Sequence, residues 1–254
     1  MKTLTPKVIY LETTTSTNDV IAQMARDGAA DFTVVQADEQ TAGRGRRGRT
    51  WSTLAGESVA CSALFRDTQA THLPLLTALA TCQALKTWLP EVRIKWPNDV
   101  LVNGKKISGI LVEHNAHEGL AFYTVGTGIN VGAGTVHFWQ DYPEATSLLH
   151  ERPELNVSVQ DVLSLYLNYL GQMVSRYRTE GWDAFFTDLY RQNCATLGQQ
   201  VRWRVDVNGT EANDIVGTAL DLDADGALIL QTAAGKTHKV LSGDIIKDAA
   251  PCQK

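Results

Sequence analysis

Short apolar runs broken by glycine, proline and asparagine set the rhythm of the first half of the chain. Val8 to Leu11, Phe32 to Gln36, Val59 to Phe65, Val92 to Val102 and Leu120 to Val131 each have the length and β-branched content of a strand. Three segments keep helical spacing instead. Val20, Ile21, Met24 and Ala25 share one face after Thr13–Asp19, where Ser16 three residues ahead of Asp19 makes a helix N-cap arrangement. Leu73 to Leu89 is apolar almost all round, as a buried helix would be. Asp161 to Arg178 carries Val162, Leu163, Tyr166, Tyr169, Leu170, Met173 and Val174 on one side.

Asn103-Gly104 is a two-residue hairpin signal that returns the chain from Trp96-Pro97-Asn98-Asp99 into Lys106 to Val112. From about Leu197 the pattern changes to short strands at tight spacing: Val201 to Val205, Ile215 to Leu222, an Asp225-Gly226 turn, then Leu228 to Leu230. The pattern predicts an α+β body over residues 1–196, with a mixed, largely antiparallel sheet and helices. A small C-terminal β-barrel of SH3-like size would occupy residues 197–254.

The 254 residues are 44% hydrophobic and 20% charged, an ordinary globular balance, and the net charge of −5 weighs against a protein built to grip nucleic acid. Cysteines at 61, 82, 194 and 252 form no CxxC pair or metal-ligand spacing, as expected of reduced thiols in a cytoplasmic protein. The first residues lack a signal-peptide apolar region. No run approaches the ~18 apolar residues of a membrane span, so no membrane partner is expected.

The densest chemical signal is Gly43-Arg44-Gly45-Arg46-Arg47-Gly48-Arg49. It contains G-x-G-x-x-G, but Trp51-Ser52 and a strand follow where a dinucleotide fingerprint needs a helix. Glycines alternating with arginines let a backbone wrap a ligand while guanidinium groups pair with carboxylate and phosphate. A solvated basic run or an RNA-binding segment is the competing reading. Four like charges and three glycines in seven residues also predict a loop that is mobile until anions arrive. A second signal joins Lys95–Val100 to Gly104–Gly109: Asp99, able to hold Mg²⁺, lies one hairpin from Lys106, able to sit on an anion. Singly, each reads as a turn carboxylate and a surface lysine. Ser16-Thr17-Asn18 with Gln40 is a set of short donors and acceptors suited to a polar, uncharged group, although capping also accounts for it. Gly126-Thr127-Gly128-Ile129-Asn130 reads as a strand end that permits close approach of a nucleotide.

Ser16-Thr17-Asn18, Gln40 through Trp51 (QTAGRGRRGRTW), Lys95 through Glu113 (KWPNDVLVNGKKISGILVE) and Gly126 through Asn130 together resemble the biotin protein ligase family, in its order and at its spacings. The resemblance covers residues 8 to 131, and more weakly Gly217, Asp225-Gly226 and Ser242-Gly243-Asp244. It implies a core similar to class II aminoacyl-tRNA synthetases and an SH3-like domain. Biotin and ATP are implied as substrates with Mg²⁺, and a lysine of a biotin carboxyl carrier protein as acceptor.

It places Ser16, Thr17, Asn18, Gln40, Arg44, Gly45, Arg46, Lys106 and Gly109 around biotin. Arg46, Arg49, Trp51, Asn98, Lys106 and Asn130 fall on the nucleotide, Asp99 on the metal, and Lys106, Arg46 and Arg49 on the reacting groups. Phe138, Trp139 and Tyr142 are the aromatics that could stack on adenine. Bifunctional members add an N-terminal helix-turn-helix repressor. Here the matching region begins within ten residues of Met1, so no DNA-binding function is expected. A lipoate or octanoate ligase shares the implied fold and is the alternative. A homodimer is compatible with all of this.

Overall fold

The computed structural model describes residues 4–52, 55–66, 72–117, 119–134, 136–204, 214–241 and 243–247. β1 (Lys7–Thr14), α1 (Thr17–Arg26) and β2 (Thr33–Gln40) form a crossover unit that makes β1 and β2 parallel. β3 (Ser58–Phe65) leads to α2 (Leu73–Leu85), then β4 (Arg93–Lys95), β5 (Asp99–Val102), β6 (Lys105–His117) and β7 (Leu120–Asn130). These strands make a seven-stranded sheet in the order β1-β2-β3-β7-β6-β5-β4, antiparallel except at the β1–β2 edge. Short helices α3 (Val136–Asp141) and α4 (Leu148–Glu151) precede α5 (Val159–Glu180) and α6 (Ala184–Asn193).

The two faces of the sheet have different fates. Val59, Cys61, Ala63 and Phe65 of β3, with Val125 and Ile129 of β7, turn into the main core under α2 and α5. The intervening Leu64 of β3 and Phe122 of β7 turn the other way, onto Ile21, Ala22 and Ala25 of α1. Since α1 lies against β2, β3 and β7, the rest of this second face, toward β6, is left for the site. α2 is buried through eleven of its positions, as its uniformly apolar sequence requires. A Ser158–Asp161 capping box starts α5, and Gly181 at φ 73° ends it. α6 has no legible signal in the sequence, because its ten residues are too few to establish a period.

The tail is a five-stranded antiparallel sheet of β8 (Gln200–Arg204), β9 (Ile215–Leu222), β10 (Leu228–Gln231), β11 (Thr237–Val240) and β12 (Asp244–Lys247), ordered β11-β10-β9-β8-β12. Among the described residues no strand of it pairs with the first sheet, but the two parts share packing. Val201, Ala219, Leu222, Leu228, Leu230, Val240 and Ile245 join the same apolar cluster as α2 and α5. Trp96 Nε1 donates to the Gly226 carbonyl at 3.1 Å, and a Cβ at Gly226 would sit 2.3 Å from Leu75 Cδ1.

His72 lies in this seam, stacked on Trp182 at 5.0 Å with Nδ1 2.9 Å from the Tyr177 hydroxyl. Burial lowers its pKa from the ordinary 6.5, against the opposing pull of Asp225 and Asp223. The unfolded chain therefore takes up this proton first as pH falls. The stability contributed by neutral His72 is full above pH 6.5, is lost as pH drops through the folded pKa, and then levels off. Urea midpoints at pH 7.5 and 5 should fall further in the wild type than in His72→Gln, and equal losses would count against this account. Among the described residues no helix is long and apolar enough to cross a membrane.

Candidate active site

The open face of β6 and β7 is floored by glycine. Gly109 pairs with Gly128 and Leu111 with Gly126, so two strands present backbone where side chains would stand. The indole of Trp51 lies in this trough: a Cβ at Gly128 would come 2.2 Å from it, and one at Gly109 2.9 Å. Its Nε1 is buried with no hydrogen-bond partner among the described residues.

At the β3 side of the trough, the head of α1 supplies a polar patch. Ser16, Thr17 and Asn18 are each only 3% exposed. Ser16 stands at the N-cap with extended backbone, but its side chain makes no capping bond, so the capping reading of this triplet fails. The Thr17 amide donates to Gln40 Oε1 at 2.9 Å, and its hydroxyl lies 2.7 Å from Ser62 Oγ. Ser62 Oγ donates to Asn18 Oδ1 at 2.6 Å, and Asn18 Nδ2 donates to Glu113 at 2.7 Å. Arg44 grips both oxygens of Asp19 at 2.7 Å and reaches Glu113 at 3.5 Å. That fork holds Asp19 below the usual carboxylate range.

Lys106 reaches the trough because β6 is irregular. Leu101 pairs with Lys106 and Val100 with Ser108, leaving Ile107 as an extra residue. In a regular strand, positions 106 and 109 would face opposite ways. The bulge turns Ile107 into the core and leaves Lys106 on the open side, with Nζ 3.0 Å from the Cβ position of Gly109. The ammonium pairs with Asp99 at 2.7 Å and sits 5.6 Å from the Trp51 ring centroid. The segment after β7 straps this bulge: Lys106 N donates to Glu144 O at 2.7 Å, and Thr146 N to Lys106 O at 2.9 Å. Asn130 serves the same strap, its Nδ2 donating to Thr146 O at 2.9 Å.

The arginine loop folds on itself, Gly45 N donating to Arg49 O at 2.7 Å and Trp51 N to Gly43 O at 2.9 Å. Gly43 is required here, since a Cβ would sit 2.4 Å from Trp51 O. The loop then closes on the C-terminal sheet. Arg46 donates to Asn98 Oδ1 at 2.5 Å and to Gly243 O at 3.1 Å, while Arg47 and Arg49 pair with Asp244. Burial lowers the Arg46 guanidinium from its ordinary value. These charges thus have partners within the chain: Asp244 and the Gly243 carbonyl supply them from the C-terminal sheet. Asp244→Asn should raise hydrogen exchange of the Gly45 and Arg49 amides, which unchanged protection would contradict.

One chain of contacts therefore runs Gly243–Arg46–Asn98–Asp99–Lys106, the Asn98–Asp99 link being 3.4 Å. Tyr142 meets the residue after Trp51, its hydroxyl 2.7 Å from Ser52 Oγ. Trp139 turns away, donating to Ala133 O at 2.8 Å beside His150. Phe138 lies in α3, and its side chain is outside the described residues; Cys252 is outside them altogether, and Cys61, Cys82 and Cys194 are free thiols. Among the described residues no three His, Cys, Asp or Glu side chains could cage a metal. Asp99 offers a single carboxylate, which suits Mg²⁺ only if substrate phosphates and water complete the shell. Sequence reasoning missed Ser62, Glu113 and Asp244 as members of the site. Glu113 and Asp244 sat inside quoted segments but nothing local marked them, and Ser62 read as an ordinary strand residue.

Residues 10–130 match the biotin/lipoate A/B protein ligase family, and residues 196–248 match the biotin protein ligase C-terminal domain. The chain is 33% identical to the biotin–[acetyl-CoA-carboxylase] ligase of Mycobacterium tuberculosis, over 92% of this chain and 86% of that one. It is 34% identical to the enzyme of that name from Paracoccus denitrificans, over 89% and 95%. The bifunctional ligase/repressor BirA of Bacillus spizizenii is 32% identical over 94% of this chain and 73% of its own length. The structure of Aquifex aeolicus biotin protein ligase in complex with biotin and ATP superposes with a TM-score of 0.82 at 25% identity, covering 95% of this chain and 99% of that one.

Proposed function

The chain belongs to the biotin protein ligase family, and from that premise we infer that it is an ATP-dependent biotin–[acetyl-CoA-carboxylase] ligase. Biotin and ATP are its substrates. The observation that carries this reading in the fold is the connected run Arg46–Asn98–Asp99–Lys106 beside a glycine-floored trough.

The biotin carboxylate attacks the α-phosphorus of ATP, giving biotinyl-5′-AMP and pyrophosphate. The ε-amine of an acceptor lysine, on a biotin carboxyl carrier protein, then attacks the acyl carbon and expels AMP. Two anions repel in the first step, so positioning and charge neutralisation carry the catalysis and no enzyme nucleophile is needed. We assign that work to Lys106, Arg46 and Arg49. Lys106 exchanges Asp99 for the carboxylate and acyl phosphate, and Arg49 exchanges Asp244 for a substrate anion. Thr17, Asn18, Ser16, Gln40, Arg44 and Gly45 form the ureido end of the biotin site, with Gly109 as floor. Trp51, Asn98 and Asn130 belong to the nucleotide side, Asn130 by holding the strap at Thr146. Mg²⁺ bound with ATP would screen the phosphate charge, with Asp99 as its protein ligand. Of Trp139 and Tyr142, Tyr142 is the better placed for adenine, because its hydroxyl meets Ser52 next to Trp51.

Residues 1–196 are proposed as the catalytic unit and 197–254 as an SH3-like unit whose Gly243 and Asp244 hold the arginine loop. Free thiols at the described cysteines fit a cytoplasmic setting. The test is pyrophosphate exchange into ATP, expected only with biotin present. Equal exchange with lipoate would replace the biotin assignment by a lipoate one.

A further inference from the structure

We propose that Glu113 is a positioning residue that gives the patch at the head of α1 one hydrogen-bond direction, making it a reader of N–H groups on the ligand; this rests on the biotin reading above. A carboxylate only accepts, so Asn18 must turn its amide nitrogen to Glu113, 2.7 Å away, and its Oδ1 to Ser62. Oδ1 cannot donate, so the single Ser62 hydroxyl proton is spent on it at 2.6 Å. Ser62 Oγ is then the acceptor in its 2.7 Å contact with Thr17, which commits the Thr17 proton as well. Gln40 Oε1, 3.1 Å from the Thr17 hydroxyl, is held by the Thr17 amide instead, at 2.9 Å.

The chain of donors therefore runs one way, Thr17 to Ser62 to Asn18 to Glu113. On the ligand side Thr17 Oγ1 and Asn18 Oδ1 have lone pairs alone to offer, and Ser62, between them, relays the direction. Ser62 is wholly buried and Thr17 and Asn18 are 3% exposed, so none of these protons has water as an alternative partner. A row of acceptors recognises N–H donors. A cyclic urea brings two of them, whereas a dithiolane ring brings none, and the direction of the chain thereby sets the choice between these ligand classes. Asn18 is also pressed flush on the sheet, its Oδ1 2.7 Å from the Cβ position of Gly126, so the amide has no room to move aside.

Glu113→Gln keeps the shape but adds a donor, which lets Asn18 reverse and returns hydroxyl protons to the ligand side. Isothermal titration of wild type and Glu113→Gln with biotin, ring N-methylated biotin and ATP decides the matter. Wild type should prefer biotin over the methylated ring by about tenfold or more. In Glu113→Gln that ratio should collapse toward one, with ATP affinity within about twofold and the melting temperature near wild type. A variant that keeps the wild-type ratio overturns the proposal. So does one that weakens both ligands by the same factor, because a merely structural role would do that. If Glu113→Gln does not fold, Ser62→Ala cuts the same chain at its middle and is held to the same ratio. Failure of the biotin reading itself is read from a separate arm: wild type would bind neither biotin nor its methylated form.

Discussion

Lys106→Ala is expected to cut biotin-dependent pyrophosphate exchange by about 10²–10³ while leaving the fold intact. The ammonium stands on the open side of β6, 2.7 Å from Asp99 and 3.0 Å from the Cβ position of Gly109, where an acyl phosphate laid in the trough would meet it. Loss of one preorganised cation aimed at charge that grows in the transition state costs about 3–4 kcal/mol. The stability cost should be small by comparison, about 1 kcal/mol or less, because Lys106 and Asp99 keep 33% and 18% of their side-chain surface in solvent. Lys105→Ala is the control: Lys105 is exposed and, one residue away with no bulge between them, faces the other way. Exchange should survive in that variant. Equal activity in the two would remove Lys106 from the mechanism.

Gly128→Ala should damage the site with comparable selectivity, through packing instead of charge. The added methyl would lie 2.2 Å from Cε2 of Trp51 and 2.4 Å from its neighbours Cζ2 and Nε1, far inside contact distance. An indole is rigid, and the floor beneath it is sheet backbone paired to β3 and β6, so Trp51 has to leave. Overpacking of this kind costs about 1–3 kcal/mol. For a chain of this size each kcal/mol lowers the melting temperature by about 2–4 °C. Tryptophan fluorescence should shift to the red, and exchange should fall more than the melting shift alone would cause, since the displaced Trp51 is a residue proposed for the nucleotide side. Unchanged fluorescence and activity would show that the trough is not the binding surface.

Much of the core was written in periodicity. The parallel edge of the sheet follows from a helix placed between two strands, the burial of α2 from its lack of a polar face, and the β5–β6 return from Asn103-Gly104, whose residues have φ 51° and 82°. Asn98, Asp99 and Lys106 share one hairpin, which returns 106 alongside 99.

What the sequence by itself determined, then, is which strands and helices form and which segments carry cations, carboxylates and glycines, because those properties depend on neighbours a few positions away. Only the tertiary structure decided what each charge pairs with. The Ile107 bulge that aims Lys106 exists only in the pairing of β6 with β5. The partners of Arg46, Arg47 and Arg49 come from residues 243 and 244, nearly two hundred positions down the chain. Ser62 and Glu113 join Thr17 and Asn18 through strand order alone. Hydrogen-bond direction and ion pairing are settled by distances of a few ångströms between segments remote in sequence, and no local pattern encodes those distances.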